Sequence, residues 1–236
     1  MVDRGAEGQD TQTALGLASA ALALARRFAA GAVMWCVAPQ WPSHGRHVAV
    51  EFVHPVIVGK RALPAVHLEG NDLAGSLRLL SRPGDVLLAV SSGADRCVVD
   101  LLRRSEAWGL TRLWLGAGVP PAVDLAEHVV WHRASEAAYS GDLVLLYHLL
   151  WELTHVVFEH PGLLDLRPPA PEDVCLTCSD EGRVAEIRAV RGDGTADVVM
   201  GGVGETLDIS LVAVAPGDLV LAHAGVALTT LEGPET

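Results

Sequence analysis

The chain has 236 residues, a formal charge of −12, and one lysine against sixteen arginines. Half of its residues are hydrophobic, so it can bury a sizeable core, and its length suits one ordinary domain and a smaller one. The acidic charge and the lack of a dense arginine cluster argue against nucleic acid as a partner. The acidic start MVDRGAEGQD is not typical of a signal peptide, and the early apolar run ALGLASAALALA is too short to span a bilayer. We therefore expect a cytoplasmic protein with no membrane partner.

Helix-like and strand-like segments alternate over the first 160 residues. Apolar residues at helical spacing predict a helix over 11–30, and a long helix is predicted at about 139–160. Between them, short buried strands are predicted at GAVMWCVA, ALPAVHL, DVLLAVSS and TRLWLG, separated by helical stretches at 44–54, 71–81 and 95–108. This alternation predicts an α/β domain at 1–160, with a parallel sheet flanked by helices on both faces.

The sequence pattern changes in the last quarter of the chain. Residues 161–174, which include RPPAPE, lack apolar periodicity and are predicted to be a linker. From Gly182 onward the short runs RVAEIRAV, TADVVMGGV, ETLDISLVAV and DLVLAHAG alternate with Gly-Asp turns. We therefore predict a small all-β domain, a barrel, at 175–236. It is strongly acidic, with three arginines against ten acidic residues.

Two of the four cysteines form a close pair. In the cytoplasm Cys36, Cys97, Cys175 and Cys178 are expected to be reduced. The spacing of Cys175 and Cys178 in DVCLTCSDEGRV therefore indicates metal or redox chemistry rather than a structural disulfide, although two structural cysteines are equally compatible with it.

The small β domain carries a series of short motifs, in the order Cys175-Leu176, Gly182-Arg183-Val184, Gly201-Gly202-Val203, LDISLV and GDLVLAHAGVAL. This series resembles the HypC/HupF family of NiFe-hydrogenase maturation chaperones, in which such motifs follow the same order. The resemblance implies a chaperone that holds an iron carrying cyanide and carbon monoxide, Fe(CN)2CO, through the Cys175 thiolate. A soft anionic thiolate suits such an iron, and a single protein ligand leaves the iron transferable. The implied partners are a HypD-like maturation protein and the hydrogenase large subunit.

The sequence departs from this family in two ways. The family cysteine normally follows the initiator methionine, whereas 174 residues precede Cys175. The stretch CLTCSDEG also adds Cys178, which is an iron co-ligand, a redox partner of Cys175 or a small buried residue. His223, in the His-Ala-Gly segment, is either a turn histidine bonded to backbone or a direct iron ligand.

The larger domain has two predicted helices with a His-x-x-x-Glu motif, with His47 and Glu51 in the first and His148, Glu152 and Leu153 in the second. In this it resembles the sugar-isomerase (SIS) fold, and the phosphoheptose isomerase group in particular. Residues four apart share a helix face, so His47 and Glu51 can point into one site. The resemblance implies a divalent metal, zinc, bound by His47, Glu51 and His148. It also implies an isomerase reaction with Glu51 and His148 as catalytic groups, and a homo-oligomer, a dimer. A simple hydrogen-bonded pair of His148 and Glu152 is the alternative.

The segments that bind the sugar phosphate in the family are altered here. The glycine-rich turn GNGGSA is replaced by VAPQWPSHG, with two prolines and a tryptophan. The second phosphate loop corresponds to Ser91, Ser92 and Gly93, followed by Ala94 and Asp95. Asp95 replaces a serine and would place an anion against an anion, so we expect no measurable binding of sugar phosphates.

These patterns predict a two-domain hydrogenase maturation factor, with an SIS-like domain joined to an iron-handling barrel. The alternative is a sugar-phosphate isomerase of the sedoheptulose 7-phosphate type, or a degenerate sugar-phosphate- or metal-binding module, with the barrel as an accessory. A third reading is a thiol-redox module that uses Cys175 and Cys178.

Overall fold

The computed structural model describes residues 4–55, 57–121, 125–132, 141–164 and 182–231. The helices are α1 Arg4–Ala29, α2 Pro42–Val53, α3 Leu73–Leu80, α4 Arg96–Ala107 and α5 Gly141–Glu159. The first five strands are β1 Met34–Val37, β2 Ala65–Leu68, β3 Val86–Ser91, β4 Thr111–Ala117 and β5 His128–His132. The last five are β6 Arg183–Val190, β7 Thr195–Met200, β8 Val203–Asp208, β9 Leu219–His223 and β10 Val226–Leu231. Within these ranges, no helix has both the length and the apolar character needed to traverse a membrane.

The first five strands form one parallel sheet in the order β2-β1-β3-β4-β5. Side chains alternate between its faces, so Met34 and Cys36 of β1 pack with α1, α2 and α5, whereas Trp35 and Val37 pack with α3 and α4. Every residue of β1 and β3 is buried, as expected for strands that are covered on both faces. The predicted α/β class is confirmed.

The last five strands form the predicted closed barrel, in the order β10-β8-β7-β6-β9. Neighbouring strands are antiparallel except β8 and β10, which pair in parallel at Asp208 and Val226. The barrel has its own small apolar core, which includes Ile187, Val198 and Val220.

A buried carboxylate joins the barrel to the α/β domain. Glu186 of β6 is 6% exposed, and its Oε2 accepts a hydrogen bond of 2.6 Å from the Trp108 indole Nε1. The Arg78 Nε lies 3.2 Å from the same oxygen, and the Arg78 guanidinium lies 5.6 Å from the centre of the Trp108 ring. A charge taken out of water needs such partners, so this contact favours one relative placement of the two domains.

The turn between β7 and β8 makes a second contact between the domains. The Gly202 N–H donates to the Ala107 carbonyl at 2.8 Å, and the Gly202 φ of 81° is unfavourable for other residues. A Cβ at Gly202 would lie 2.5 Å from the Pro83 side chain and 2.9 Å from the Trp108 carbonyl. Only glycine therefore lets the barrel approach α4 this closely.

The structure corrects several predicted element limits. Strands β5 and β10 were not predicted. The predicted strand over 205–214 is too late and too long, since β8 ends at Asp208 and Ser210 is fixed by a turn in which its N–H donates to the Asp208 carboxylate. Residues 161–163 form a 3-10 helix, whereas most of the predicted linker lies outside the described residues, so the domain limits remain a prediction.

We predict that Gly202→Ala destabilises the protein more than Gly201→Ala. Both positions have a positive φ and carry a backbone cost of about 1–2 kcal/mol for alanine. A Cβ at Gly201 meets only the flexible end of Arg183, at 3.0 Å, whereas a Cβ at Gly202 meets Pro83 and backbone. Overpacking adds a further cost of about 1–3 kcal/mol at Gly202, which urea unfolding can measure. Equal losses for the two variants would contradict the close domain contact.

Candidate functional site

Three predicted ligand residues come together between α2 and α5. The His47 Nε2 lies 3.2 Å from Glu51 Oε1, and the His148 Nε2 lies 3.3 Å from the same oxygen. One donor atom from each of the three side chains lies within 4.8 Å of the other two. The two His-x-x-x-Glu helices therefore share one site, with Glu51 between the imidazoles.

The burial pattern of the two helices explains the position of this site. Helix α2 begins with Pro42 in its first turn, a favoured position for proline, and buries Val48 and Phe52. His47 and Glu51 lie at the margin of this buried face, where the Glu51 side chain is 15% exposed and the His47 side chain 41%. His148 lies at the corresponding margin of α5, with its side chain 38% exposed. The site is thus anchored on its inner side and open to solvent on its outer side.

The hydrogen-bond geometry of His148 favours a cation beside Glu51. Its Nδ1 lies 2.7 Å from the Val144 carbonyl, which can only accept, so Nδ1 carries a hydrogen. In a neutral His148 the Nε2 then presents a lone pair to the Glu51 carboxylate, and the two repel each other. A proton or a metal ion between these atoms removes the repulsion.

The two distances from the Glu51 carboxylate to the imidazoles match those between ligands of a tetrahedral zinc ion. Two ligands bound to one Zn²⁺ at about 2.0–2.1 Å in tetrahedral geometry lie about 3.3–3.4 Å apart. The Glu51 carboxylate stands close to this distance from each imidazole. Two imidazole nitrogens and one carboxylate form a donor set that zinc accepts, with a fourth position left for water or another ligand.

Tyr147 and His44 complete the inner side of the site, and the sequence patterns did not identify either residue. The Tyr147 hydroxyl lies 2.7 Å from His47 Nδ1 and 3.4 Å from His44 Nδ1. Burial, followed by the charge of Glu51, raises the pKa of Tyr147 to about 12, so the phenol stays protonated. His44 could have been predicted, because it lies three residues before His47 and therefore on the same face of α2. Tyr147 gave no such signal, because it is adjacent to His148 and neighbouring residues of a helix point in different directions.

Glu152 pairs with Lys60 and not with His148, its partner in the alternative considered from the sequence. Its carboxylate lies 3.4 Å from the Nζ of Lys60, which also contacts Glu159 at 2.7 Å. His148 contacts Glu51 and the Val144 carbonyl instead. The alternative of a hydrogen-bonded pair of His148 and Glu152 is therefore wrong.

The predicted phosphate loop lies at the carboxyl end of β3, where its polar groups are already bonded. Ser91 is buried, and its Oγ accepts from the Trp114 indole and donates to the Ser92 carbonyl. The Ser92 hydroxyl donates to the Gln40 side chain at 3.0 Å. At Gly93 a Cβ would lie 2.6 Å from the Val119 carbonyl, so the chain packs tightly there.

Asp95 occupies the amides that a phosphate would use. Its Oδ1 accepts from the N–H groups of Cys97 and Val98 at the start of α4, and burial raises the pKa of this carboxyl. A cavity of about 410 Å³ lies beside this loop, and the described residues lining it are Gln40, Trp41, Ser92, Gly93, Ala94, Val119, Pro120 and Pro121. None of these lining residues is basic, so this part of the site offers no cation for a phosphate.

Only one of the predicted iron-handling residues lies in the described part of the barrel. His223 ends β9 and pairs with Val226 across a two-residue turn, in which Ala224 has a φ of 48° and Gly225 a φ of 84°. Both positive values are typical of a type I′ hairpin turn. The His223 ring makes no hydrogen bond to any described residue, which does not support the backbone-bonded reading. Cys175 and Cys178 lie outside the described residues.

We predict that the wild-type protein does not bind a seven-carbon ketose phosphate, and that Asp95→Ser gains phosphate affinity. Serine can still cap α4, but it removes the negative charge from the amides of Cys97 and Val98. Amide chemical shifts during titration with inorganic phosphate and with the sugar phosphate would measure both effects. Asp100→Ser removes the same charge one turn further along α4 and serves as the control. Phosphate-dependent shifts in the wild-type protein would contradict the prediction.

Comparisons with known proteins agree with this two-part organisation. Residues 181–236 match the HupF/HypC family. A phosphoheptose isomerase from Francisella tularensis has 16% identity and a TM-score of 0.54, over 63% of this chain and 92% of that chain. Phosphoheptose isomerase GmhA from Neisseria gonorrhoeae has 16% identity and a TM-score of 0.53, over 65% of this chain and 92% of that chain. No curated protein sequence matches the chain.

These matches confirm the two predicted resemblances. At 16% identity the isomerase structures show the fold of the α/β domain and nothing of its activity. The HupF/HypC match covers the barrel and begins at residue 181, downstream of Cys175 and Cys178.

Proposed function

We propose that this chain is a maturation factor for NiFe hydrogenases, whose barrel carries the Fe(CN)2CO precursor through the thiolate of Cys175. The observation that carries this proposal is the HupF/HypC match of residues 181–236, which coincides with a closed five-stranded barrel. The iron complex is the cargo of the reaction and not a resident cofactor. A HypD-like partner supplies it in the cytoplasm, and the hydrogenase large subunit receives it.

The residue types near the start of the barrel support this role. Cys175 lies a few residues before the matched range, and we propose it as the iron ligand because the motif order Cys175-Leu176, Gly182-Arg183-Val184 resembles that of the family. A thiolate is a soft ligand, and iron that carries cyanide and carbon monoxide is a soft acceptor. His223 lies at the hairpin turn that ends β9, and we propose it as a second contact for the cargo. Cys178 is proposed as a co-ligand.

For the α/β domain we propose a divalent metal site, zinc, formed by His47, Glu51 and His148. The observation that favours it is the pair of Nε2 atoms at 3.2 and 3.3 Å from one Glu51 oxygen. When bound, zinc would polarise a coordinated water or carbonyl group. The chain's own residues hold the donor atoms in place, and we expect the domain to act as a homo-oligomer, a dimer.

Isomerase activity is the less favoured function. Glu51 and His148 are of the residue types that move a proton between neighbouring sugar carbons, as base and acid. However, Asp95 takes the amides at the start of α4, and the described lining of the adjacent cavity has no basic residue. A phosphorylated substrate would therefore be poorly held.

We predict that Cys175→Ala abolishes hydrogenase maturation and leaves the protein folded. Cys175→Ser should fail almost as badly, because a hydroxyl is a hard, weakly acidic ligand. Hydrogenase activity in cells complemented with each variant is the measurement, with protein abundance checked in parallel. Infrared spectra of protein purified without oxygen should show cyanide and carbonyl bands that disappear in Cys175→Ala. Normal maturation by Cys175→Ala would refute the carrier role.

Cys178→Ser separates the carrier from the redox module. A neighbouring thiol should give a partial loss of maturation, whereas a pair that chelates the iron or cycles as a disulfide should fail as completely as Cys175→Ala. The infrared bands should persist in Cys178→Ser if Cys175 alone is sufficient to hold the iron. Complete failure with no iron bands in either wild type or variant would favour the redox reading.

We predict that the α/β domain binds one zinc ion, and that His148→Ala or Glu51→Gln weakens this binding. The measurements should be made in a full-length Cys175→Ser, Cys178→Ser background, because a close cysteine pair can also hold zinc. Removing a ligand should lower the zinc affinity by more than the roughly 10–100-fold that follows removal of a residue that only hydrogen-bonds a ligand. Competition with a chelator measures this affinity. His160→Ala, which removes an exposed imidazole just beyond α5, is the control. Equal affinity in the wild type and His148→Ala would reject this site.

A further inference from the structure

A short chain of hydrogen bonds lies behind His47, on the side away from Glu51. The Tyr147 hydroxyl is 2.7 Å from His47 Nδ1, and the same hydroxyl is 3.4 Å from His44 Nδ1. Tyr147 is fully buried and His44 is 5% exposed, so water does not readily replace either partner. The three side chains come from two helices, His44 and His47 from α2 and Tyr147 from α5.

The direction of these hydrogen bonds follows from the role of His47. For His47 Nε2 to present a lone pair to a metal, its Nδ1 must carry the ring hydrogen, which then donates to the Tyr147 oxygen. The phenol hydrogen then points to His44 Nδ1. The phenol can accept from His47 and donate to His44 at the same time because its oxygen carries both lone pairs and a hydrogen. The chain therefore runs from His47 through Tyr147 to His44.

We propose that Tyr147 and His44 are positioning residues that hold His47 in the Nδ1–H tautomer, with Nε2 directed at the metal position. This inference rests on the proposed zinc site and adds two residues to it. Ligand histidines generally need such a partner on their second nitrogen, because it fixes both the tautomer and the orientation of the ring. His148 obtains the same control from the Val144 carbonyl. Each of the two imidazoles is thus oriented from the side opposite Glu51.

Ring packing and the hydroxyl group can be separated at Tyr147. Its ring lies edge-on to His47 with centroids 5.1 Å apart, and it stacks on His148 at 5.2 Å. Phenylalanine keeps these ring contacts and removes only the hydrogen bonds. A residue that acted by packing alone would therefore tolerate Tyr147→Phe, whereas a residue that sets the His47 tautomer would not.

The test compares zinc affinity among variants of the full-length Cys175→Ser, Cys178→Ser protein. We expect Tyr147→Phe to weaken zinc binding about 10–100-fold, as removal of an outer-shell partner does. His44→Leu should weaken binding in the same direction, and His44→Asn should restore most of it, because the Asn Oδ1 can accept in place of Nδ1. The double variant Tyr147→Phe, His44→Leu should bind no more weakly than Tyr147→Phe alone, since His44 acts through Tyr147.

A second readout examines the ring hydrogen of His47 directly. In the zinc-bound protein the Nδ1–H of His47 should give a downfield, slowly exchanging signal in ¹H–¹⁵N spectra of the wild type, and Tyr147→Phe should shift or broaden that signal because the acceptor is lost. Urea unfolding of the same samples gives the stability cost of the lost hydrogen bond, which a purely structural role would also produce. Changes in zinc affinity and in the Nδ1–H signal of His47, rather than in stability, therefore carry the inference.

The possible failures can be told apart. If wild type and His148→Ala bind zinc equally, the proposed metal site is wrong, and this inference falls with it. If His148→Ala loses zinc but Tyr147→Phe binds it as tightly as wild type, the metal site stands and the positioning role of Tyr147 is overturned. If the two single variants lose affinity additively, His44 does not act through Tyr147.

Discussion

The parallel sheet must be covered on both faces, and most of the other features follow from this constraint. Its strands β1 and β3 are wholly buried and almost entirely apolar, so each face needs helices. The helices on one face hold the histidine cluster, and the helices on the other face contact the barrel. Helices α2 and α5 meet over one face, where they place two imidazoles on either side of a carboxylate. Helices α3 and α4 cover the other face and support the barrel, so the histidine cluster and the barrel are separated by the thickness of the sheet.

The sequence predicted the order of helices and strands well because periodicity and composition are local. It also brought His47, Glu51 and His148 into one hypothesis, since residues four apart on a helix must share a face. It could not reveal the domain contact, because Glu186 looks like an ordinary polar residue of a strand until Trp108 and Arg78 are placed beside it. Tyr147 escaped notice for a similar reason, since its partners lie on another helix about 100 residues away.

A shared fold does not fix the ligand chemistry of the α/β domain. The amides at the start of α4 are satisfied by the chain's own Asp95. This carboxylate takes the electrostatic role that a bound anion would have, and it stabilises the helix. Between α2 and α5 the same domain brings two imidazoles and a carboxylate together.

Lys60 provides the one side-chain amine of the protein that acylating reagents can modify. It is the only lysine in the chain, and its ammonium group is held between Glu152 and Glu159 of α5. The hydrogen bond to Glu159 raises the pKa of Lys60, so the nucleophilic free amine is scarce. Reagents that acylate ε-amines would find a single, slow target, and a crosslink formed there would report on one known position beside the helix that carries His148. Acylation would also leave two carboxylates of α5 without their cation, so the reagent would act as a local perturbation as well as a label.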